Sequence, residues 1–207
     1  ALRFIEKNSK AKQIQTRDIL RLHTIIGQKG ALDREPVGLF RPYQVRVGMH
    51  TPPAPKDVPR LMTELSEWLN GSGKAWPAVV SSAILHYQFE FIHPFGDGNG
   101  RVGRALTTWE LYRKQFDTNH IFATDEVFLE DRQSYYHALH RVQVEAQDLS
   151  GWVEYVAETI NEALHRTWKR IEAVSASTKG QSLTLTPKQE KILALLREQA
   201  LGIFEIQ

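Results

Sequence analysis

His93-Pro94-Phe95-Gly96-Asp97-Gly98-Asn99-Gly100-Arg101-Val102-Gly103-Arg104 is the stretch on which the rest of the chain is read. Gly96, Gly98 and Gly100 alternate through it. Residues without a Cβ let successive backbone N–H groups turn toward one point, which makes an anion-binding concavity. The concavity opens onto the start of a helix, where unpaired N–H groups and the dipole also favour negative charge. Arg101 and Arg104 are three apart, hence on one helix face, and both can fork onto phosphate oxygens. Asp97 is the only carboxylate of the loop. Mg²⁺ takes one or two protein carboxylates and completes its shell with phosphates and water, so one is enough. His93 is the only side chain of the loop that titrates near neutrality and can accept a proton from a nucleophile. A base, a metal ligand, an anion cradle and a cationic clamp are the parts of a phosphorus-centred transfer.

Taken singly, these residues have ordinary readings. Histidine at a helix end is commonly structural, Asp-Gly is a common turn pair, and surface arginines are commonly solvated. Their conjunction carries the argument. Gly98-Asn99-Gly100-Arg101-Val102-Gly103 also satisfies the dinucleotide fingerprint G-x-G-x-x-G, with Asp125 near the distance of a ribose contact. That fingerprint must follow a strand. Here a 3.6-periodic helix precedes it, so the match is accidental.

Working outward, helical periodicity dominates. Upstream, Val79, Val80, Ala83, Ile84, Tyr87 and Phe91 predict the inner face of a helix opening at Trp76-Pro77, the most buried of the chain. Downstream, Val102, Ala105, Leu106, Trp109 and Tyr112 predict a helix over 101–115. Ile14, Ile19, Leu22 and Ile26 mark another, and so do residues 57–69, 132–146 and 150–171. Only residues 40–47 alternate as a strand, before Pro52, Pro53, Pro55 and Pro59 forbid further pairing. The expected fold class is mainly α with one short β-hairpin. Residues 174–184 read as a linker. Residues 185–207 read as the truncated start of a winged helix-turn-helix, with Thr186, Pro187 and Gln189 forming a capping box.

The 207 residues are 42% hydrophobic, which supports a real core, and the formal net charge is only +2. No run of like charge points to nucleic acid or a membrane surface. With 0 cysteines, disulfides, thiol catalysis and thiolate-bound zinc are excluded, which suits a reducing, cytoplasmic setting. No stretch approaches the roughly 18 apolar residues of a membrane span. The opening residues lack a signal-peptide core and read like mid-helix, so the chain is expected to be an excised fragment.

The loop resembles the signature of the Fic family, His-Pro-Phe-x-Asp/Glu-Gly-Asn-Gly-Arg-x-x-Arg, at every specified position. Residues 40–48 and 52–55 resemble the family's flap, 86–92 its motif-leading helix, and 134–139 its adenine-side helix. The likeness covers residues 1–173, expected as one Fic-fold helical bundle.

The resemblance implies an Mg-dependent adenylyltransferase that moves AMP from ATP onto a Tyr, Thr or Ser hydroxyl of a target protein. In that reading His93 is the general base and Asp97 the Mg²⁺ ligand. Gly98 and Gly100, with Asn99, cradle the α- and β-phosphates. Arg101 braces the departing pyrophosphate and Arg104 reaches the γ-phosphate. Tyr136, Leu139 and Gln143 line the adenine, and Val47, Gly48, Met49 and His50 close the other side. Phe95 anchors the loop. The flap over 40–50 takes the protein substrate as an added strand. Self-modification and a homodimer are further expectations. Many family members carry an inhibitory Ser/Thr-x-x-x-Glu-Gly/Asn helix. The matches at Thr63, Ser150 and Thr186 stay incomplete here, so an upstream inhibitory helix is expected to have been cut away, leaving Arg104 to the γ-phosphate. Transfer of another nucleotide, phosphorylation, AMP removal, or nucleotide sensing by a DNA-binding regulator are the alternatives. DNA would be met only through the incomplete C-terminal module.

Overall fold

The computed structural model describes residues 1–10, 13–28, 32, 36–116, 124–146 and 148–177, and among them it is mainly helical, without a strand. Ala1–Leu164 form one compact unit. A second unit begins at His165, and only its helical stretch to Ser177 is described. The helices are α1 (Leu2–Asn8), α2 (Thr16–Gly27), α3 (Val58–Asn70), α4 (Ala78–Ile92), α5 (Asn99–Arg113), α6 (Thr124–Glu130), α7 (Arg132–His140) and α8 (Ser150–Ser177). A π-helical turn, Arg141–Ala146, follows α7. No described helix is long and apolar enough to cross a membrane.

The centre of the first unit is the helix pair that the motif loop joins. α4 and α5 pack on one another, α3 lies against α4, and α1 and α2 lie against α5. α4 is buried on two sides. Leu85, Phe89 and Ile92 enter one cluster with Ile19, Leu22, Met62, Leu65, Val102 and Trp109. Ala83 and Tyr87 enter a second with Leu111, Phe128, Tyr135, Trp152, Val156 and Ile160. Full burial of such side chains stabilises by about 1.5–3 kcal/mol each. The stripe anticipated for α4 is therefore only partly the observed one. Val79, Val80 and Ile84 are half-buried and Phe91 is exposed, whereas Ser81, Ser82, His86 and Glu90 are buried. A helix sandwiched between two clusters has no single apolar face, so its period is blurred.

Ser81 and Glu110, buried polar groups of this pair, are met by partners. The Ser81 hydroxyl donates to Glu110 Oε1 at 2.9 Å, and Arg113 Nε donates to Glu110 Oε2 at 2.7 Å. Arg113 also donates to Asn70 Oδ1 at 3.2 Å, while the Asn70 amide donates to the Ile14 carbonyl at 2.8 Å. α3, α4 and α5 are thereby tied at a fixed depth before the chain reaches the loop.

The hairpin anticipated over 40–50 is instead a set of turns with one isolated antiparallel bridge. Val47 and His50 exchange N–H···O bonds of 3.0 Å. The reason is that side chains take the acceptors a second strand would need. Arg41 donates to the Tyr43 and Pro53 carbonyls, and Gln44 donates to the Val45 and Pro52 carbonyls. α8 continues past Val174, where a linker was expected, to Ser177. The winged-helix expectation for 185–207 lies outside the described residues.

Candidate active site

α4 ends at His93, whose backbone is left-handed with φ 48° and ψ 61°. A residue other than glycine rarely holds that conformation, and it costs on the order of 1–3 kcal/mol unless the surroundings enforce it. Here they do. The His93 amide donates to the Phe89 carbonyl at 2.9 Å, and the His93 carbonyl accepts from Arg41 Nε at 2.8 Å. The chain turns, Phe95 plugs into the core at 0% exposure, and α5 begins after Gly98, whose φ is +84°. A Cβ at Gly98 would also stand 2.7 Å from Leu32 Cδ2, a side-chain tip that would have to give way, so the positive φ is what requires glycine there.

The loop is held from three directions. Asn99, 2% exposed, accepts from the Phe95 amide at 2.9 Å and donates to the Phe95 carbonyl at 2.8 Å. Its carboxamide, expected among the groups cradling phosphate, is thus committed at both ends to closing the loop. Arg41 donates to the carbonyls of both Ile92 and His93, and its own amide donates to the Pro94 carbonyl. His23, fully buried on α2, lies flat on the Phe95 ring with centroids 3.7 Å apart.

The partners of His23 fix its tautomer. Its Nδ1 accepts from the Gly38 N–H at 2.8 Å, so Nε2 carries the hydrogen and donates to the Asp97 carbonyl at 3.0 Å. Burial pushes its pKa below the ordinary 6.5, against smaller opposing contributions from the bond to Asp97 and the Asp97 charge. The folded chain therefore binds this proton less readily than the unfolded chain, and stability is lost as pH falls below about 6.5. Urea unfolding in metal-free buffer from about pH 7.5 to about 5 should show that loss, at most ~1.4 kcal/mol per pH unit for one proton. His23→Gln should flatten the dependence. An unchanged slope in the variant would assign the loss elsewhere.

A cavity of about 680 Å³ is lined by His93, Gly96, Asp97, Gly98, Asn99, Gly100, Arg101 and Arg104 on one side. Phe128 and Leu129 of α6 and Arg132, Tyr135 and Tyr136 of α7 line the other. Helix-opening amides lack intrahelical acceptors, and Asn99 and Gly100, which open α5, both border the cavity. The Gly98 amide is engaged by Asp97 Oδ1. The other Asp97 oxygen lies 3.3 Å from Arg101 Nη2, a pair exposed enough that solvent screens it.

Tyr135 shows how deeply the far wall is built in. Burial drives its phenol well above the usual range, and the Glu90 carboxylate adds to the shift. It stays protonated and donates to His86 Nε2 at 2.9 Å. His86 Nδ1–H then meets Thr107 Oγ1 at 2.8 Å, and that hydroxyl donates to the Gly103 carbonyl at 3.1 Å. The cavity wall and the motif helix are one hydrogen-bonded unit.

Of the residues anticipated for the adenine, Tyr136 lines the cavity, 61% exposed. Leu139 and Gln143 do not border it. Leu139 belongs to the second core cluster, 7% exposed, and Gln143 sits half-buried in the π turn. The inward stripe of α7 and the turn after it is Tyr135, Leu139 and Val142, spaced four and three, and Tyr136 stands about 100° off it. Val47, Gly48, Met49 and His50 also do not border the cavity. His50 Nε2 bonds the Phe91 carbonyl at 2.9 Å, and Met49 is 69% exposed. Sequence reading missed His23, Arg41, Glu90, Arg132 and Tyr135.

The central turn of this helical domain presents a histidine, a carboxylate, helix-opening amides and two arginines to one cavity. Residues 13–111 match the Fic/DOC family, and the chain belongs to it. The chain is 32% identical over 199 residues to the protein adenylyltransferase fic-1 of Caenorhabditis briggsae, covering 93% of this chain and 37% of that protein. It is 31% identical over 182 residues to the protein adenylyltransferase Fic of Nematostella vectensis, covering 86% and 38%. The chain therefore spans well under half the length of these curated relatives. A crystal structure of a Fic family protein from Desulfovibrio desulfuricans G20 superposes with a TM-score of 0.67 at 28% identity, covering 86% of this chain and 53% of that one.

Proposed function

We propose that this domain transfers AMP from ATP to a hydroxyl side chain of a protein, with release of pyrophosphate. The observation that carries the reading is the convergence of His93, Asp97, Arg101 and Arg104 on one cavity that also holds the opening of α5. About 680 Å³ is within the range of pockets that enclose a nucleotide-sized ligand, roughly 300–1,000 Å³. The names of the curated relatives support the same reaction.

In this mechanism the target hydroxyl gives its proton to His93 as its oxygen attacks the α-phosphorus. The bond from the α-phosphorus to its bridging oxygen breaks, and pyrophosphate departs with that electron pair. Arg101 and Arg104 carry permanent positive charge on the cavity wall, where it opposes the growing negative charge of the leaving group. The amides that open α5 act in the same sense. Asp97, a half-exposed carboxylate on the cavity beside those amides, fits Mg²⁺ and would hold it, and the cation supplies charge neutralisation across the phosphates. Asn99 serves by bracing the loop.

The segment over 40–50 is the proposed docking place of the protein target. Tyr43, Val47 and Met49 are exposed there, at 43%, 36% and 69%, and offer apolar surface on the segment that Arg41 ties to the carbonyl of His93. Self-modification is the simplest form of the reaction. Intact mass spectrometry after incubation with ATP, GTP, UTP and CTP in turn, with Mg²⁺, tests the proposal. A gain of one AMP from ATP alone, on the chain or on an added protein, is the expected result. Gain of another nucleotide, or of phosphate, overturns it.

A further inference from the structure

Glu90 lies one helical turn before His93 and is 8% exposed. Its Oε2 stands 3.6 Å from His93 Nδ1. Glu90 Oε1 and His93 Nδ1 are both buried, and neither has a hydrogen-bond partner among the described residues. A buried carboxylate without partners is costly, and in a folded protein such a group calls for an explanation. The surroundings make room for it. Gly103, on the facing turn of α5, has no side chain, and a Cβ there would stand 2.5 Å from Glu90 Oε1. Alanine at that position would push the carboxylate off its seat.

Resting on the reading above, we propose that Glu90 is the positioning residue of the base: it holds His93 with the proton on Nδ1 and leaves Nε2 bare toward the cavity. Nδ1 is the buried nitrogen on the Glu90 side, and the residue lines the cavity, which puts Nε2 at the cavity face. Which nitrogen of an imidazole carries the hydrogen is set by the partner of the other. At 3.6 Å the two groups are an ion pair in waiting and not yet a hydrogen bond. Such contacts tighten when substrate fills an active site. When Nε2 takes the hydroxyl proton, the ring becomes an imidazolium, and the Glu90 carboxylate balances that charge. Arg41 fixes the same ring from the other end, through the His93 carbonyl.

Long-range ¹H–¹⁵N spectra of the full chain at about pH 8 read the tautomer directly, with the His93 signals identified by their loss in His93→Ala. The expected result is Nδ1 protonated and Nε2 bare in the native protein. Glu90→Leu should move the proton to Nε2 and lower kcat about tenfold or more, at most by the 10²–10⁴ that a general base supplies, with KM for ATP changed less than about twofold. Glu90→Gln keeps an acceptor without charge, so it should keep the tautomer and still lower kcat, and it decides the matter should the leucine variant not fold. A native spectrum with Nε2 protonated, or a glutamine variant with native kcat, overturns the proposal. Absence of AMP transfer by the native chain would overturn the reaction instead, and leave the spectrum to judge the pair.

Discussion

Replacing His93 with alanine is expected to lower the rate of AMP transfer by about 10²–10⁴, the contribution of a general base, while ATP binding changes little. His93 lines the cavity but has no permanent charge to offer the phosphates, which Arg101 and Arg104 supply. Its removal should therefore appear in the single-turnover rate with radiolabelled ATP and hardly in KM. The left-handed backbone complicates the choice of variant, because φ 48° disfavours alanine by about 1–2 kcal/mol. Asparagine tolerates that conformation and has no base, so His93→Asn should keep the melting temperature and lose the activity. Native-like activity in a folded asparagine variant would remove His93 from the role of base.

Sequence and structure run together where the physics is local: residues of the 93–104 loop border one cavity. The loop from 93 to 104 was readable because its glycines, carboxylate and arginines act through their own backbone and one helix turn. What escaped reading is held by long-range partners. His23 meets the Asp97 carbonyl across 74 positions, and Arg41 meets the His93 carbonyl across 52. No period or spacing announces a histidine of α2 or an arginine of the flap as a clamp on a distant loop. Glu90 was hidden differently. It sits in the middle of a helix read by its apolar residues, and a charged residue at such a place looks like solvent-facing surface until a second cluster is found on that side.

Two differences between expectation and structure have equally plain causes. Tyr136 and Leu139 were placed together because residues three apart share a helix face, yet the buried stripe runs through Tyr135, Leu139 and Val142. One step along a helix turns about 100°, which takes Tyr136 off that stripe, while Tyr135 stays on it and still borders the cavity. The alternation over 40–47 reads as a strand, but a strand needs free acceptors opposite. Arg41 and Gln44 consume them, leaving the lone pairing of Val47 with His50.

Arg41→Ala is expected to cost about 3–5 kcal/mol of stability, because one charged side chain that makes several hydrogen bonds, each worth about 1.5–3 kcal/mol, is removed. The side chain is 3% exposed, and its guanidinium donates to four carbonyls, those of Ile92, His93, Tyr43 and Pro53, at 2.7–3.3 Å. Two of these belong to the C-terminal end of α4, where the helix dipole favours a cation. Alanine leaves these four acceptors without their donor, in one buried and three part-buried bonds, and an unmade buried hydrogen bond costs about 1–3 kcal/mol. Incoming water would recover part of this, which is why the sum stays below four full penalties. The melting temperature should fall by ~10 °C, taking roughly 2–4 °C per kcal/mol for a unit of this size. Lysine has three donors on one compact charge and cannot reproduce the planar fork, so Arg41→Lys should recover under half of the loss. The folded fraction of Arg41→Ala should also turn over more slowly per molecule, because the His93 carbonyl has lost the donor that holds it in its left-handed turn. A loss below about 1 kcal/mol, measured by urea unfolding, would mean that the flap and the loop stand without one another and that Arg41 is only a neighbour of both.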